Sequence, residues 1–172
     1  MKGTIVKCME ELVTKKFGAN KWKASLKCAG LPESTIYMTT GDVPDADVLS
    51  IMKGIGEATS LSREQVTEAF GDYWSTVYAP DIYRVYFDKA KSAKEFLLSL
   101  DQIHVTMTKS IKGAAPPRFT YESPAEKVLI MNYTSPRGLV SLMPALIRGV
   151  AKYYNEKVSV TTTGNSIRAQ FS

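Results

Sequence analysis

The sequence predicts an α+β fold, in which a helical N-terminal lobe precedes a lobe with a four-stranded antiparallel sheet and packed helices. Three observations support this prediction. Apolar residues recur every three or four positions through the first half of the 172-residue chain, as they do on the buried face of a helix. Segments rich in β-branched and aromatic residues become frequent after residue 117. Strands and helices that are segregated along a chain favour α+β over a doubly wound sheet.

Five helices are predicted before the strands begin, and three of them lie in the first 60 residues. The first ends near Gly18 and Asn20, residue types that are common just beyond helix C-termini, and a shorter helix follows over about residues 20–29. Residues 30–44 are rich in Gly, Pro, Ser and Thr, which predicts a loop before the third helix. The apolar stripes of the first and third helices are Ile5, Met9, Leu12 and Val13, and Val48, Ile51, Met52, Ile55 and Ala58.

Two further helices begin with a capping box, in which a Ser and a Glu or Gln three residues later cap each other's backbone N–H groups. Ser62 begins the first box and predicts a helix that runs to about Tyr78. Ser92 begins the second box and predicts a long helix over about residues 93–111.

The second half of the chain is predicted to form the sheet. Gly164 and its neighbours predict a turn between the last two strands. An amphipathic helix between the second and third strands should lie on the sheet, and Pro144 would kink it or make it start late. The predicted strands cover residues 118–122, 127–134, 157–163 and 166–171, and the helix stripe is Leu139, Leu142, Met143, Leu146, Ile147, Val150 and Tyr154.

Composition and charge argue against several classes of protein. The net charge is +5, but basic residues are scattered among acidic ones, which favours a solvated surface over a nucleic-acid-binding one. No apolar run reaches transmembrane length, and Lys7 and Glu10 come too early for a secretion signal. We therefore expect a cytoplasmic protein without direct membrane insertion. Cys8 and Cys28 lack the spacing of a zinc-binding pair and are expected to be reduced.

His104 is the only histidine of the chain and lies on the apolar face of the last predicted helix before the strands. A position between Leu100 and Met107 is rigid and shielded from water, which suits a metal ligand. Considered alone, a core histidine bonded to a backbone carbonyl is the commoner case. Asp101 and Lys109 fall elsewhere on the helix and can face water.

The segment from Tyr133 to Arg137 is the second candidate site. If the strand continues through it, side-chain alternation places Tyr133, Ser135 and Arg137 on one face. Two hydroxyls and a guanidinium would then suit a ligand with carboxylates, whereas an edge strand with a solvated polar face is the alternative for the segment alone. A carboxylate clamp and one imidazole together match the needs of haem, which has two propionates and an axial ligand.

These residues lie in four segments that resemble the H-NOX domain, the haem nitric oxide/oxygen-binding module of bacterial sensors, which is similar to the haem domain of soluble guanylate cyclase. The resemblance covers essentially the whole chain. It implies a single domain over residues 1–172, with a helical lobe over about 1–60, a haem-ligating α/β lobe over about 61–172, and haem b between them. The segments are Met1–Val6, Asp101–His104, Ile111–Arg118 and Tyr133–Arg137.

The resemblance implies a role for each matching residue. His104 matches the proximal iron ligand of the family. Ile5 and Pro117 match two residues that press on the porphyrin and bend it, and Leu146 would also pack on the haem. The residues that match the clamp on the propionates are Tyr133, Ser135 and Arg137.

The distal residues implied by the resemblance predict which gas binds. Oxygen-binding members of the family place a tyrosine hydroxyl over the gas, and the matching position is Leu142, which has no donor. Met9 cannot donate, and Trp74 is expected to pack as an apolar wall. The prediction is a ferrous haem that binds NO and CO and forms no stable oxygen complex. Two alternatives stay open: the Trp74 indole supports oxygen binding, or Pro144 shifts the register of Leu142.

The resemblance implies a sensor and not an enzyme. NO weakens the iron bond trans to it, so the helix of His104 would be released and the haem would relax against Ile5 and Pro117. The expected output partner is a sensor histidine kinase, a cyclic-di-GMP enzyme or a chemoreceptor. Two rivals remain. An enzyme is disfavoured because the sequence lacks a Gly-x-Ser-x-Gly motif and a Walker loop. A haem-free module would bind an acidic small molecule or a nucleic-acid phosphate.

Overall fold

The computed structural model describes residues 1–109, 111 and 113–172, and these divide into two compact units, Met1–Phe70 and Gly71–Ser172. The first unit is helical, and the second combines helices with a sheet. The α+β prediction is therefore confirmed. The sequence predicts a lobe boundary near residue 60, and the division seen here falls after Phe70. That the whole chain is one domain stays a prediction.

The first unit is built on the predicted apolar stripes. Gly18 separates the first two helices with a φ of 90°, a conformation that favours glycine, so the break falls where the sequence predicts it. The loop predicted over residues 30–44 is also present. The helices are α1 (Gly3–Phe17), α2 (Ala19–Cys28), α3 (Asp45–Thr59) and the start of α4 (Arg63–Tyr73), and the stripe residues Met9, Leu12, Val13, Val48, Ile51 and Ile55 are buried between them.

The capping box before α4 forms as predicted, because Gln65 N–H donates to Ser62 Oγ at 3.2 Å and Ser62 N–H donates to Gln65 Oε1 at 2.8 Å. The helix continues after α4 as a wider π-helical turn over Trp74–Tyr78. The short helix α5 (Ala79–Ile82) follows directly. A proline cannot donate to the carbonyl four residues earlier and its ring clashes with that carbonyl, so the wide turn fits the position of Pro80. The sequence pattern predicts the length of this helical path but not its widening.

The helices that lead to the sheet are α6 (Arg84–Lys89), which the sequence pattern does not predict, and α7 (Ala93–Thr108). The capping box of α7 forms, with Glu95 N–H donating to Ser92 Oγ at 3.1 Å. Its predicted end at about residue 111 includes Ser110, which lies outside the described residues. No helix within the described part of the chain is long and apolar enough to cross a membrane.

The sheet of the described residues has four antiparallel strands in the order β1-β2-β4-β3, close to the predicted ranges. The last two strands are joined at Gly164, whose φ is 58°. Sheet residues whose side chains point into the core, such as Leu129, Met131 and Ile167, are fully buried. The strands are β1 (Arg118–Ala125), β2 (Val128–Thr134), β3 (Val158–Thr163) and β4 (Ser166–Phe171).

The helix predicted on the sheet, α8 (Met143–Tyr153), starts late, after a 3-10 turn over Val140–Leu142. Pro144 occupies the beginning of α8, where a missing N–H leaves no intrahelical bond unmade. Ile147 and Val150 face the core of the second unit. Pro144 therefore delays the start of the helix and does not kink it.

Gly149 of α8 and Gly71 of α4 allow α8 to lie close to the helical segment at the start of the second unit. A Cβ on Gly149 would lie 2.5 Å from the carbonyl oxygen of Gly71 and 2.8 Å from Ser75 Cβ. Ser75 Oγ also donates a hydrogen bond to the backbone carbonyl of Leu146 at 3.1 Å. This close contact fixes the π-helical turn, which carries Trp74, against α8.

We expect Gly149→Ala to lower the free energy of unfolding by about 1–3 kcal/mol, because the added methyl group overlaps backbone atoms that cannot move aside alone. Urea denaturation measures the change. Lys152→Ala, one turn further along α8, is the control, because Lys152 is exposed and forms a surface ion pair of 2.7 Å with Asp72. Its cost should stay below about 1 kcal/mol. Equal losses in the two variants would contradict the steric explanation.

Candidate functional site

His104 lies on α7, and its Nδ1 is 3.0 Å from the backbone carbonyl oxygen of Pro117. A carbonyl oxygen only accepts hydrogen bonds, so Nδ1 carries the hydrogen and donates it. The Nε2 atom of the neutral ring then keeps its lone pair, which is the form that binds a metal. Burial lowers the pKa of His104 and so favours this neutral ring, although the bond to Pro117 opposes the shift.

A single histidine ligand, His104, fits a haem better than a bare metal ion. Among the residues that the structure describes, no group of three or more His, Cys, Asp or Glu side chains is arranged to hold an ion. A lone imidazole suits a metal that brings its other ligands with it, as the iron of a porphyrin does. It does not suit a structural zinc site, which needs four protein ligands.

Asp101 lies off the apolar face of α7, as predicted, and its side chain is partly exposed, but it is also bound to the start of β1. Its carboxylate accepts hydrogen bonds from Arg118 Nε and Nη2, both at 2.8 Å, and from the backbone N–H of Phe119 at 2.9 Å. The hydroxyl of Tyr121 accepts a further bond from the backbone N–H of Asp101 at 3.0 Å. Helical periodicity correctly gives the direction of the Asp101 side chain, but it cannot reveal that β1 lies on that side. Lys109 is exposed, as predicted.

Because of these contacts, we expect the protein to lose stability at acid pH. The hydrogen bonds from Arg118 are the main cause that lowers the pKa of Asp101 to about 2, whereas an unfolded aspartate titrates at about 3.9. The stabilising contribution of Asp101 is therefore complete above about pH 4 and is lost as the pH falls towards 2. We expect the urea midpoint of the wild type to fall more steeply over this range than that of Asp101→Asn. Parallel curves for the two proteins would contradict the assignment.

The second candidate segment leaves the sheet before Ser135. The prediction that Tyr133, Ser135 and Arg137 alternate along one strand is therefore wrong. Pro136 explains the difference, because it has no N–H with which to extend the strand ladder. Ser135 and Arg137 lie in the turn that follows, and Arg137 N–H donates to Ser135 Oγ at 3.3 Å.

The segment after β2 folds back onto the buried side chain of Tyr133. The Tyr133 hydroxyl accepts a hydrogen bond from the backbone N–H of Leu139 at 3.2 Å, and within the described part of the chain no acceptor takes its own hydrogen. The Arg137 guanidinium donates to the backbone carbonyl of Ala115, two residues before Pro117. Lys112, which belongs to the same Ile111–Arg118 segment as Ala115, lies outside the described residues.

Phe119 connects the two candidate parts of the site. Its ring centroid is 6.0 Å from that of His104 and 5.9 Å from that of Tyr133, and the side chain is buried. The sequence interpretation did not select Phe119. Alternation along β1, which puts Phe119 and Tyr121 on one face, is the signal that could have identified it. The rings of His104 and Tyr133 therefore both contact one apolar ring.

The other predicted residues of the second unit have well-defined positions. Pro117 immediately precedes β1, and Leu146 is half-buried on α8. Leu142 ends the 3-10 turn and is also half-buried. Trp74 lies in the π-helical turn and stacks on Tyr78, with ring centroids 5.6 Å apart. Their roles beside a haem stay predictions.

Ile5 and Met9 lie on α1 in the first unit, four residues apart and hence on the same side of the helix. Met9 is fully buried, whereas Ile5 is half-buried. Their proposed contacts with a haem also stay predictions.

Comparison with known proteins gives a consistent result. The profile of the Haem-NO-binding family matches residues 2–162, whereas no curated protein matches significantly. An oxygen-binding H-NOX domain related to soluble guanylate cyclases is 26% identical, with a TM-score of 0.82, over 100% of this chain and 95% of that one. A structure described for modulating haem redox potential through protein-induced porphyrin distortion is also 26% identical, with a TM-score of 0.82, over 99% and 100% of the two chains. An H-NOX protein from S. oneidensis in the Fe(II)NO state is 18% identical, over 100% and 98%, and its TM-score of 0.86 shows a shared fold.

Proposed function

Because the chain belongs to the haem-NO-binding, or H-NOX, family, we propose that it is a sensor that binds NO and CO at ferrous haem b and signals to a partner protein. Domains of this family bind haem and sense gases. The haem type, the choice of gas and the route of the signal are the finer parts of the proposal. We assign no enzymatic activity to the domain, and we infer that it acts in the cytoplasm as a single unit over residues 1–172.

The hydrogen bond from His104 Nδ1 to the Pro117 carbonyl is the observation that carries this proposal. It leaves Nε2 as the donor atom, and α7 gives the imidazole a rigid mount. A bound haem would supply the iron that binds a gas, and His104 would be the side chain that holds this iron.

The hydrogen-bond donors at the end of β2 and in the turn after it would hold the propionates. The Tyr133 hydroxyl accepts from Leu139, so its own hydrogen can be donated to a carboxylate. Ser135 and Arg137 lie in the adjoining turn, where a hydroxyl and a planar guanidinium can reach the same anionic group. The clamp that we propose is therefore a strand end followed by a turn, and not one face of a continuous strand.

The choice of NO and CO over oxygen rests on Leu142. Its side chain has no hydrogen-bond donor, and oxygen depends on such a donor far more than NO or CO does. Trp74 differs from Leu142, because its indole N–H is a donor and the ring is only half-buried. The similarity to an oxygen-binding H-NOX domain keeps an oxygen sensor with a Trp74 donor as the second candidate.

The contacts of α7 suggest which part of the helix would move when His104 is released. Near its start, Lys94 Nζ donates to Ser123 Oγ at 2.7 Å and Ala93 N–H donates to Glu156 Oε1 at 3.1 Å. Its end borders an open cleft of about 330 Å³, lined in part by Val105 and Thr108. We infer that the part of α7 after Asp101, which carries His104, moves while the start of the helix and Asp101 stay attached. The partner would be a sensor histidine kinase, a cyclic-di-GMP enzyme or a chemoreceptor.

An anaerobic absorption titration of the reduced holoprotein with NO, CO and oxygen tests the proposal. We expect NO and CO to shift the Soret band, and oxygen to give no stable complex. A stable oxygen complex would overturn the choice of gas. If that complex disappears in Trp74→Phe, the second candidate is correct. Protein that stays colourless after growth with a haem precursor would refute haem binding altogether.

A further inference from the structure

Two contacts one helical turn apart tie α7 to the start of β1. His104 Nδ1 donates to the carbonyl oxygen of Pro117, and Asp101, three residues earlier on α7, binds the next two residues of the chain. Pro117, Arg118 and Phe119 are consecutive. The two contacts therefore close a small ring that contains one turn of helix and three residues of extended chain.

The Asp101 contact is stronger than an ordinary surface ion pair. The carboxylate receives a bidentate pair of hydrogen bonds from the Arg118 guanidinium and a third from the Phe119 amide, and the Asp101 side chain is only 20% exposed. Bidentate, charge-assisted bonds have a fixed geometry, whereas most exposed pairs do not. Arg118 itself is 60% exposed, so the restraint comes from geometry more than from burial.

This geometry acts directly on the peptide group that accepts from His104. The Pro117 carbonyl and the Arg118 N–H belong to one peptide unit, and the next unit ends at the Phe119 N–H, which Asp101 binds. The Arg118 side chain between these units is held by the same carboxylate. Asp101 therefore restrains the rotation of the Pro117 carbonyl. The direction of that carbonyl sets the plane of the imidazole and the basicity of its other nitrogen.

We propose that Asp101 and Arg118 are positioning residues for His104, which hold the Pro117 carbonyl against Nδ1 and so set the strength of the bond from Nε2 to iron. This inference rests on the proposed function, because it requires His104 to be the iron ligand. In this proposal the Asp101–Arg118 ion pair does not contact the haem itself. It nevertheless controls how readily His104 leaves the iron.

Resonance Raman spectroscopy of the reduced, gas-free holoprotein tests the proposal through the Fe–His stretching band. Asp101→Asn keeps the shape but loses the charge, and Arg118→Lys keeps the charge but loses the bidentate fork. We expect both variants to shift the band to lower frequency. We also expect haem to transfer to apomyoglobin about tenfold faster than from the wild type.

Lys152→Gln is the matched control, because it breaks an exposed ion pair of 2.7 Å with Asp72 on other helices of the same unit. It should leave the band and the transfer rate unchanged. A wild-type band and a wild-type rate in both positioning variants would overturn the inference and leave the proposed function intact. If Asp101→Asn does not fold, Arg118→Lys decides by the same two measurements. Absence of any Fe–His band in the wild type would instead refute His104 as the ligand.

Discussion

Replacing His104 with alanine is expected to abolish the Soret band of the purified protein, because His104 is the only histidine of the chain and the proposed iron ligand. Changes to groups that only orient a metal-binding histidine cost about 10- to 100-fold in affinity, so loss of the ligand itself should cost more than about 100-fold. Absorption spectroscopy and a haemochrome assay measure the bound haem. Circular dichroism checks that the variant is folded.

Gln102→Ala is the control for this change, because Gln102 lies on the same helix and is exposed. It should retain the haem of the wild type. His104→Gly with added imidazole separates binding from signalling, because imidazole replaces the ligand but not its covalent link to α7. We expect the Soret band to return without a response of the partner to NO. A wild-type response in the rescued variant would show that release of α7 is not the trigger.

Leu142→Tyr is expected to create a stable oxygen complex, since it places a hydroxyl at a position of the proposed distal pocket where the leucine side chain has no hydrogen-bond donor. A hydrogen bond to a partly charged acceptor contributes about 1.5–3 kcal/mol. Because each 1.4 kcal/mol is a factor of ten, oxygen affinity should rise about 10- to 100-fold, with a much smaller change for CO. Gas titration of the reduced holoprotein measures both affinities.

Leu142→Phe is the matched control, because it adds the same ring without the hydroxyl. An equal gain in oxygen affinity for the phenylalanine variant would show that size, and not hydrogen bonding, is responsible. No gain for the tyrosine variant would show that Leu142 does not face the gas. The late start of α8 makes this test informative, because Leu142 lies at the end of the 3-10 turn and not within the regular helix.

The sequence by itself determined most of the fold, because the signals involved are local. Ser62 and Ser92 cap their helices within four residues, and the stripes on α1 and α3 follow from helical spacing alone. Strand composition predicted the number and approximate ranges of the strands, but not their order in the sheet. The delay of α8 at Pro144 is also local, because a proline affects only its own helical turn. His104 was likewise located by its position on the apolar face of one helix.

Only the tertiary structure decided which groups these side chains meet. The acceptor of His104 lies 13 residues away at Pro117, and the partners of Asp101 lie 17 and 18 residues away at Arg118 and Phe119. Helical periodicity gives the direction in which a side chain points, but the element that lies there depends on how helix and sheet pack. For this reason helical spacing places Asp101 off the apolar face but does not predict that it holds α7 to β1. The partners of the Tyr133 hydroxyl likewise depend on a turn that no strand pattern describes.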